Sequence, residues 1–112
     1  MQIKENLQQI ARSYSFTNRC LLLMEECAEL IQAVNKCMRA RNDGYIGKQE
    51  SRANLIEEMA DVTIMMEQIK YLMCIDDEAV ETVMQQKIER TIGRMYGYGG
   101  SEVDKDNNRY IQ

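Results

Sequence analysis

An all-α protein is predicted from three features of this sequence: the absence of proline, the abundance of helix-forming residues and the spacing of apolar residues. The chain has no Pro, no Trp and one Phe, whereas it has nine Met. Proline is the strongest helix breaker, and Met ranks with Leu and Glu among the good helix formers. No window alternates apolar and polar residues over the length of a strand. We therefore predict one helical domain, residues 1–96, and a Gly-rich polar tail, residues 97–112.

The first two helices are predicted from apolar stripes separated by a serine-rich break. The first covers roughly residues 2–13, and Ser15 or Thr17 can cap the second, which runs over roughly residues 16–41. The second helix has a broad apolar face at helical spacing. That face includes Cys20, Leu23, Cys27, Leu30, Ile31, Val34, Cys37 and Met38.

The next two helices follow a loop, RNDGYIGKQES, that carries an Asn-Asp-Gly turn signal. Ser51 is a plausible N-cap for a third helix over roughly residues 52–73. A fourth helix is predicted to begin at Asp76-Asp77, whose acidic side chains complement the helix dipole, and to reach about Met95.

The charge and the cysteine content exclude several classes of function. The net charge is −4 at neutral pH, whereas general nucleic-acid binding and docking on an anionic membrane need a basic face. The four Cys form no CxxC pair and the chain has no His, so no Cys/His zinc site is expected. Free cysteines favour a reducing, cytoplasmic compartment. No apolar run approaches the length that spans a membrane.

Two acidic clusters, EECAEL in the second helix and EEMADV in the third, are the main indication of function. Residues three apart on a helix are neighbours, so Glu26 shares a face with Glu29, and Glu58 shares one with Asp61. No Lys or Arg lies within helical reach of either cluster. Two long helices joined by a Gly-containing loop usually pack antiparallel, which lets the two clusters face each other.

A divalent cation would relieve the repulsion among these carboxylates. Neighbouring like charges destabilise a helix by about 0.2–0.5 kcal/mol per pair, and burial increases the penalty. Mg²⁺ and Mn²⁺ prefer oxygen ligands, whereas a di-iron bundle also needs Glu-x-x-His motifs, and this chain has no His. The alternative is that both clusters lie on solvated helix faces, as most Glu pairs do.

The paired clusters resemble the EExxE…ExxD signature of the MazG-like all-α nucleoside triphosphate pyrophosphatases. That superfamily includes the dimeric dUTPases and the dCTP pyrophosphatases, and the resemblance covers about residues 15–95. It implies a four-helix bundle that works as a homodimer or homotetramer. It also implies Mg²⁺-dependent hydrolysis of an NTP or dNTP to the monophosphate and pyrophosphate.

The resemblance also implies roles for individual residues. Glu25 is favoured over Glu57 as the residue that orients or deprotonates the attacking water. The metal ligands would be the four acids that match the signature: Glu26, Glu29, Glu58 and Asp61.

Three bases of the fourth helix, Lys87, Arg90 and Arg94, are the candidates for binding the triphosphate, and the alternative for each is a solvated basic stripe. The helix departs from the family pattern, because Glu-Arg-Thr-Ile-Gly-Arg stands where many members have Asn-Arg. The competing functions for the whole chain are a non-catalytic helical interaction protein and a nucleotide sensor without turnover.

Overall fold

The computed structural model of the protein describes residues 2–42 and 44–97. Within these ranges there is no strand, so the all-α prediction is confirmed. The elements in chain order are α1 Ile3–Arg12, α2 Phe16–Arg39, a 3-10 helix Ala40–Asn42, α3 Tyr45–Leu72 and α4 Asp77–Met95. No helix in the described part of the chain is long and apolar enough to cross a membrane.

The helices fall into two compact units. The first unit ends at Cys74 and contains α1, α2 and α3, in which α2 packs along α3 and α1 packs on α3. The second unit begins at Ile75 and contains α4. The tail predicted over residues 97–112 lies outside the described residues except for Gly97.

Side-chain caps fix the starts of α2 and α4, and the cap at Ser15 is one that the sequence predicts. The Ser15 hydroxyl accepts a hydrogen bond from the Asn18 amide at 3.0 Å, and the Asp76 carboxylate accepts one from the Ala79 amide at 2.8 Å. Such bonds satisfy backbone N–H groups that have no partner inside the helix. At the other end of α4, Gly97 has φ +79°, a left-handed conformation that suits glycine and ends the helix.

The start of α3 differs from the prediction. The helix begins at Tyr45 after the extended residue Gly44, so most of the predicted loop is helical and Ser51 is not an N-cap. The Ser51 hydroxyl instead donates to the Lys48 carbonyl at 3.0 Å, a bond that serine makes inside helices. Nothing after Gly44 stops a helix, because the segment contains no proline and its one glycine, Gly47, costs only about 1 kcal/mol.

Contacts at both ends of the α2–α3 pair show that the two helices are antiparallel. Near the start of α2, the Arg19 guanidinium donates to the Gln68 side-chain oxygen at 3.1 Å. Near its end, the Cys37 thiol donates to the Ser51 carbonyl at 3.3 Å. Residue numbers therefore rise along α2 as they fall along α3, and the two acidic clusters lie level with each other between these contacts.

The interface between α2 and α3 contains a buried polar network around Arg19. Arg19 is 6% exposed and Gln68 is 1% exposed. The guanidinium also donates two bonds to the Asn18 side-chain oxygen, at 3.0 and 2.7 Å, and lies over the Tyr14 ring at 4.0 Å from its centre. Amide oxygens and an aromatic face thus replace the carboxylate that usually accompanies a buried arginine.

We expect Arg19→Met to lower the free energy of unfolding by about 2 kcal/mol, since it leaves the buried Gln68 oxygen without a donor. Arg12→Met is the matched control, because Arg12 makes a comparable bond to the Tyr71 hydroxyl at 2.9 Å on the surface. That control should cost less than about 1 kcal/mol. Urea denaturation followed by circular dichroism measures both. Equal losses in the two variants would contradict a special role for the buried network.

Candidate metal centre

Four carboxylates from two helices meet at the middle of the α2–α3 pair. Glu26 and Glu29 lie one turn apart on α2, and Glu58 and Asp61 lie one turn apart on α3. One oxygen from each side chain can be chosen so that all four lie within 4.8 Å of one another. The four predicted ligands are therefore brought together, rather than spread over solvated faces.

Burial separates these carboxylates from ordinary surface acids. Glu29 is exposed, whereas Glu26, Glu58 and Asp61 are half-buried. One oxygen of Glu26 and one of Glu58 (Oε2 in both) are buried without a hydrogen-bond partner in the described structure. A buried carboxylate oxygen without a donor is unfavourable, so these two atoms fit a site that binds a cation.

The local electrostatics favour protonation of two of the acids when no cation is present. Burial, together with the negative charges of Glu29 and Asp61, raises the pKa of Glu26 from 4.5 to about 7. Burial also raises the pKa of Glu58, with the same two neighbours contributing. Repulsion of this kind disappears when a divalent cation binds among the carboxylates.

The residues fit a hard divalent cation. The donor set is entirely carboxylate oxygen, which Mg²⁺ and Mn²⁺ prefer. One oxygen of each side chain lies within 4.8 Å of the others, so the four carboxylates could share one ion. The two orphaned oxygens point to the same conclusion.

For the other candidate residues, the structure gives their exposure but no contact that assigns a role. Glu25 and Glu57 are exposed and precede a ligand on α2 and α3 respectively. On α4, Lys87 and Arg90 are exposed and Arg94 is half-buried. The roles of all five stay predictions.

Two bases of α2, Lys36 and Arg39, were not selected from the sequence, although they line a groove beyond the carboxylates. The sequence did contain a signal for these bases, because residues 36–52 hold five of the 14 Lys and Arg residues of the chain.

The fold and the site together define a class of protein: an all-α protein with a cluster of four carboxylates between two antiparallel helices. The model of the MazG nucleotide pyrophosphohydrolase domain matches residues 15–95, which is more than half of the chain. The chain therefore belongs to the MazG family. No curated protein and no solved structure matches it significantly.

Proposed function

We propose that the protein is a Mg²⁺-dependent nucleoside triphosphate pyrophosphohydrolase, which converts an NTP or dNTP to the monophosphate and pyrophosphate. The observation that carries the proposal is the set of four carboxylates within 4.8 Å, two of which have a buried oxygen without a partner. Membership of a nucleotide pyrophosphohydrolase family supports the same activity. Mn²⁺ would serve in place of Mg²⁺, since it accepts the same ligands.

The reaction asks the protein to hold a triphosphate and to direct a water at its α-phosphorus. The water oxygen forms the new bond, the bond from the α-phosphorus to the bridging oxygen breaks, and pyrophosphate leaves with that electron pair. Glu26, Glu29, Glu58 and Asp61 would hold the metal, which when bound supplies positive charge to the phosphate oxygens and makes a water more acidic. The proton released by the water goes to a nearby base.

We propose Glu25 as that base, since it is exposed beside the ligand pair of α2. Glu25→Gln is expected to lower kcat by about 100-fold, because general base catalysis contributes roughly 10²–10⁴-fold. Stabilisation by Mg²⁺ should persist, since Glu25 is not one of the four clustered acids. Glu57→Gln is the comparison. If it lowers kcat more than Glu25→Gln does, the base is Glu57.

An apolar stripe on α2 supports a homo-oligomer, either a dimer or a tetramer. Met24, Ile31 and Met38 recur every seven residues and are 59%, 70% and 67% exposed. Large contiguous apolar surfaces usually mark protein interfaces. Sedimentation velocity tests for an oligomer, because a monomer would have a mass of 13.1 kDa.

A cytoplasmic location is proposed from the free cysteines.

The proposed activity is tested by measuring pyrophosphate release from a panel of canonical and modified NTPs and dNTPs, with Mg²⁺ or with EDTA. Release from at least one nucleotide that requires Mg²⁺ is the expected result. Nucleotide binding by calorimetry without release would indicate a sensor. Neither binding nor release across the panel would favour a helical interaction protein.

A further inference from the structure

A groove lies at the end of the α2–α3 pair that is closer to the connecting loop. Its volume is about 400 Å³. The lining consists of Lys36, Arg39, Ala40, Gly47, Glu50, Ser51 and Asn54. Two bases, a hydroxyl and a carboxamide thus surround a space large enough for a small anion, with one acid, Glu50, on the same wall.

The groove lies on the same side of the helix pair as the carboxylates. Lys36 follows Glu29 by seven residues, which places it about 10 Å along α2 and within about 20° of the same helical direction. Asn54 precedes Glu58 by four residues on α3, which is one turn away on the same face. Side chains on a helix lean toward its N-terminus, so Lys36 leans from the groove toward Glu29.

The two bases of the groove have no acidic partner in the described structure. The chain is acidic overall, yet residues 36–52 carry five bases and two acids. The ion pair between Glu67 and Lys70 lies outside this region. Lys36 and Arg39 are exposed bases beside an acidic metal centre, and each has donors free for an anion.

We propose that this groove binds the pyrophosphate portion of the nucleotide and of the product, through Lys36 and Arg39. This proposal rests on the proposed function, because it assigns the orientation of the substrate's triphosphate at the same site. The α-phosphorus would lie at the carboxylate cluster, and the β- and γ-phosphates would extend toward the loop end. When the bond to the α-phosphorus breaks, the leaving oxygen takes the electron pair, and the two bases stabilise the charge that pyrophosphate gains.

A second groove at the same end of the helices provides a matched control. It has a volume of about 460 Å³ and is lined by Cys37, Arg41, Lys48, Ser51, Arg52 and Leu55. Arg41 and Lys48 line this second groove and do not line the first. Removing two charges there changes the net charge equally without touching the groove that faces the carboxylates.

The test compares Lys36→Ala/Arg39→Ala with Arg41→Ala/Lys48→Ala. Calorimetric titration with inorganic pyrophosphate, with and without Mg²⁺, measures the affinity directly. We expect the first variant to bind pyrophosphate roughly tenfold more weakly and the second to stay within about twofold of the unmodified protein. Orthophosphate should bind weakly to all three proteins, since it spans too short a distance to join the cluster to the groove. The charge-conserving Lys36→Arg/Arg39→Lys variant should retain most of the affinity.

Steady-state kinetics separates this proposal from the proposed function. If the unmodified protein hydrolyses a nucleotide, Lys36→Ala/Arg39→Ala should raise KM and weaken product inhibition by pyrophosphate more than the control does. Equal effects of the two double variants, or none from either, would overturn the groove assignment while leaving the activity in place. If no nucleotide is hydrolysed, the proposed function fails, and the ratio of pyrophosphate affinities still decides whether the groove is an anion site.

Discussion

Glu26→Gln is expected to reduce Mg²⁺-dependent pyrophosphate release by at least about 100-fold while the metal-free protein stays folded. The substitution removes the negative charge of a proposed ligand and leaves only a neutral amide oxygen, which binds a hard cation more weakly, and metal-assisted hydrolysis depends on the bound metal. Folding should not suffer, because one Glu26 oxygen is buried without a donor and three other acids surround the side chain. A neutral amide removes that repulsion and can donate to the neighbouring carboxylates.

The experiment pairs Glu26→Gln with Glu58→Gln and compares both with Glu5→Gln. Glu5 is an exposed acid on α1 outside the cluster, so its substitution makes the same chemical change without touching the metal centre. Both cluster variants should lose activity and the stabilisation by Mg²⁺, and Glu5→Gln should lose neither. Full activity in Glu26→Gln would remove this residue from the metal centre and with it the main support for the proposed reaction.

The cluster of four carboxylates was predictable because it depends on local periodicity. A spacing of three residues places Glu26 beside Glu29 and Glu58 beside Asp61 on any regular helix. The antiparallel packing of the two helices then brings the pairs together, as the short connection between them implies. The caps at Ser15 and Asp76 were predictable for the same reason, since each hydrogen bond joins residues three apart.

Features that depend on tertiary contacts were not predictable. The Arg19–Gln68 bond joins residues 49 apart, and no local pattern predicts that a buried guanidinium will be satisfied by amide oxygens. The early start of α3 was missed because the turn signal Asn-Asp-Gly was assigned to a longer loop than the chain forms. The groove at Lys36 and Arg39 was not predictable, because it forms only where particular sides of α2 and α3 face each other beyond the carboxylates.

Metal-free protein is expected to become less stable as the pH rises from about 5 to 8. Burial and the neighbouring carboxylates raise the pKa of Glu26 to about 7 in the folded protein, whereas an unfolded chain would have the ordinary value of 4.5. Between these two values the folded state holds more protons than the unfolded state, so stability falls as the pH rises. The raised pKa of Glu58 acts in the same direction. Thermal denaturation in EDTA at pH 5.5 and 8 should show the higher Tm at pH 5.5.

Mg²⁺ should reverse this dependence, because the cation and the proton compete for the same oxygens. Below pH 7 the metal must displace the proton on Glu26, so the affinity for Mg²⁺ should rise about tenfold per pH unit as the pH approaches 7. The increase in Tm on adding Mg²⁺ should accordingly be larger at pH 8 than at pH 5.5, and calorimetry in buffers of different ionisation enthalpy should detect proton release at pH 6. Glu26→Gln separates this effect from that of the other acids, since it removes the group with the raised pKa. A Tm difference in EDTA between pH 5.5 and 8 that is unchanged in Glu26→Gln would show that the pH dependence arises elsewhere in the chain.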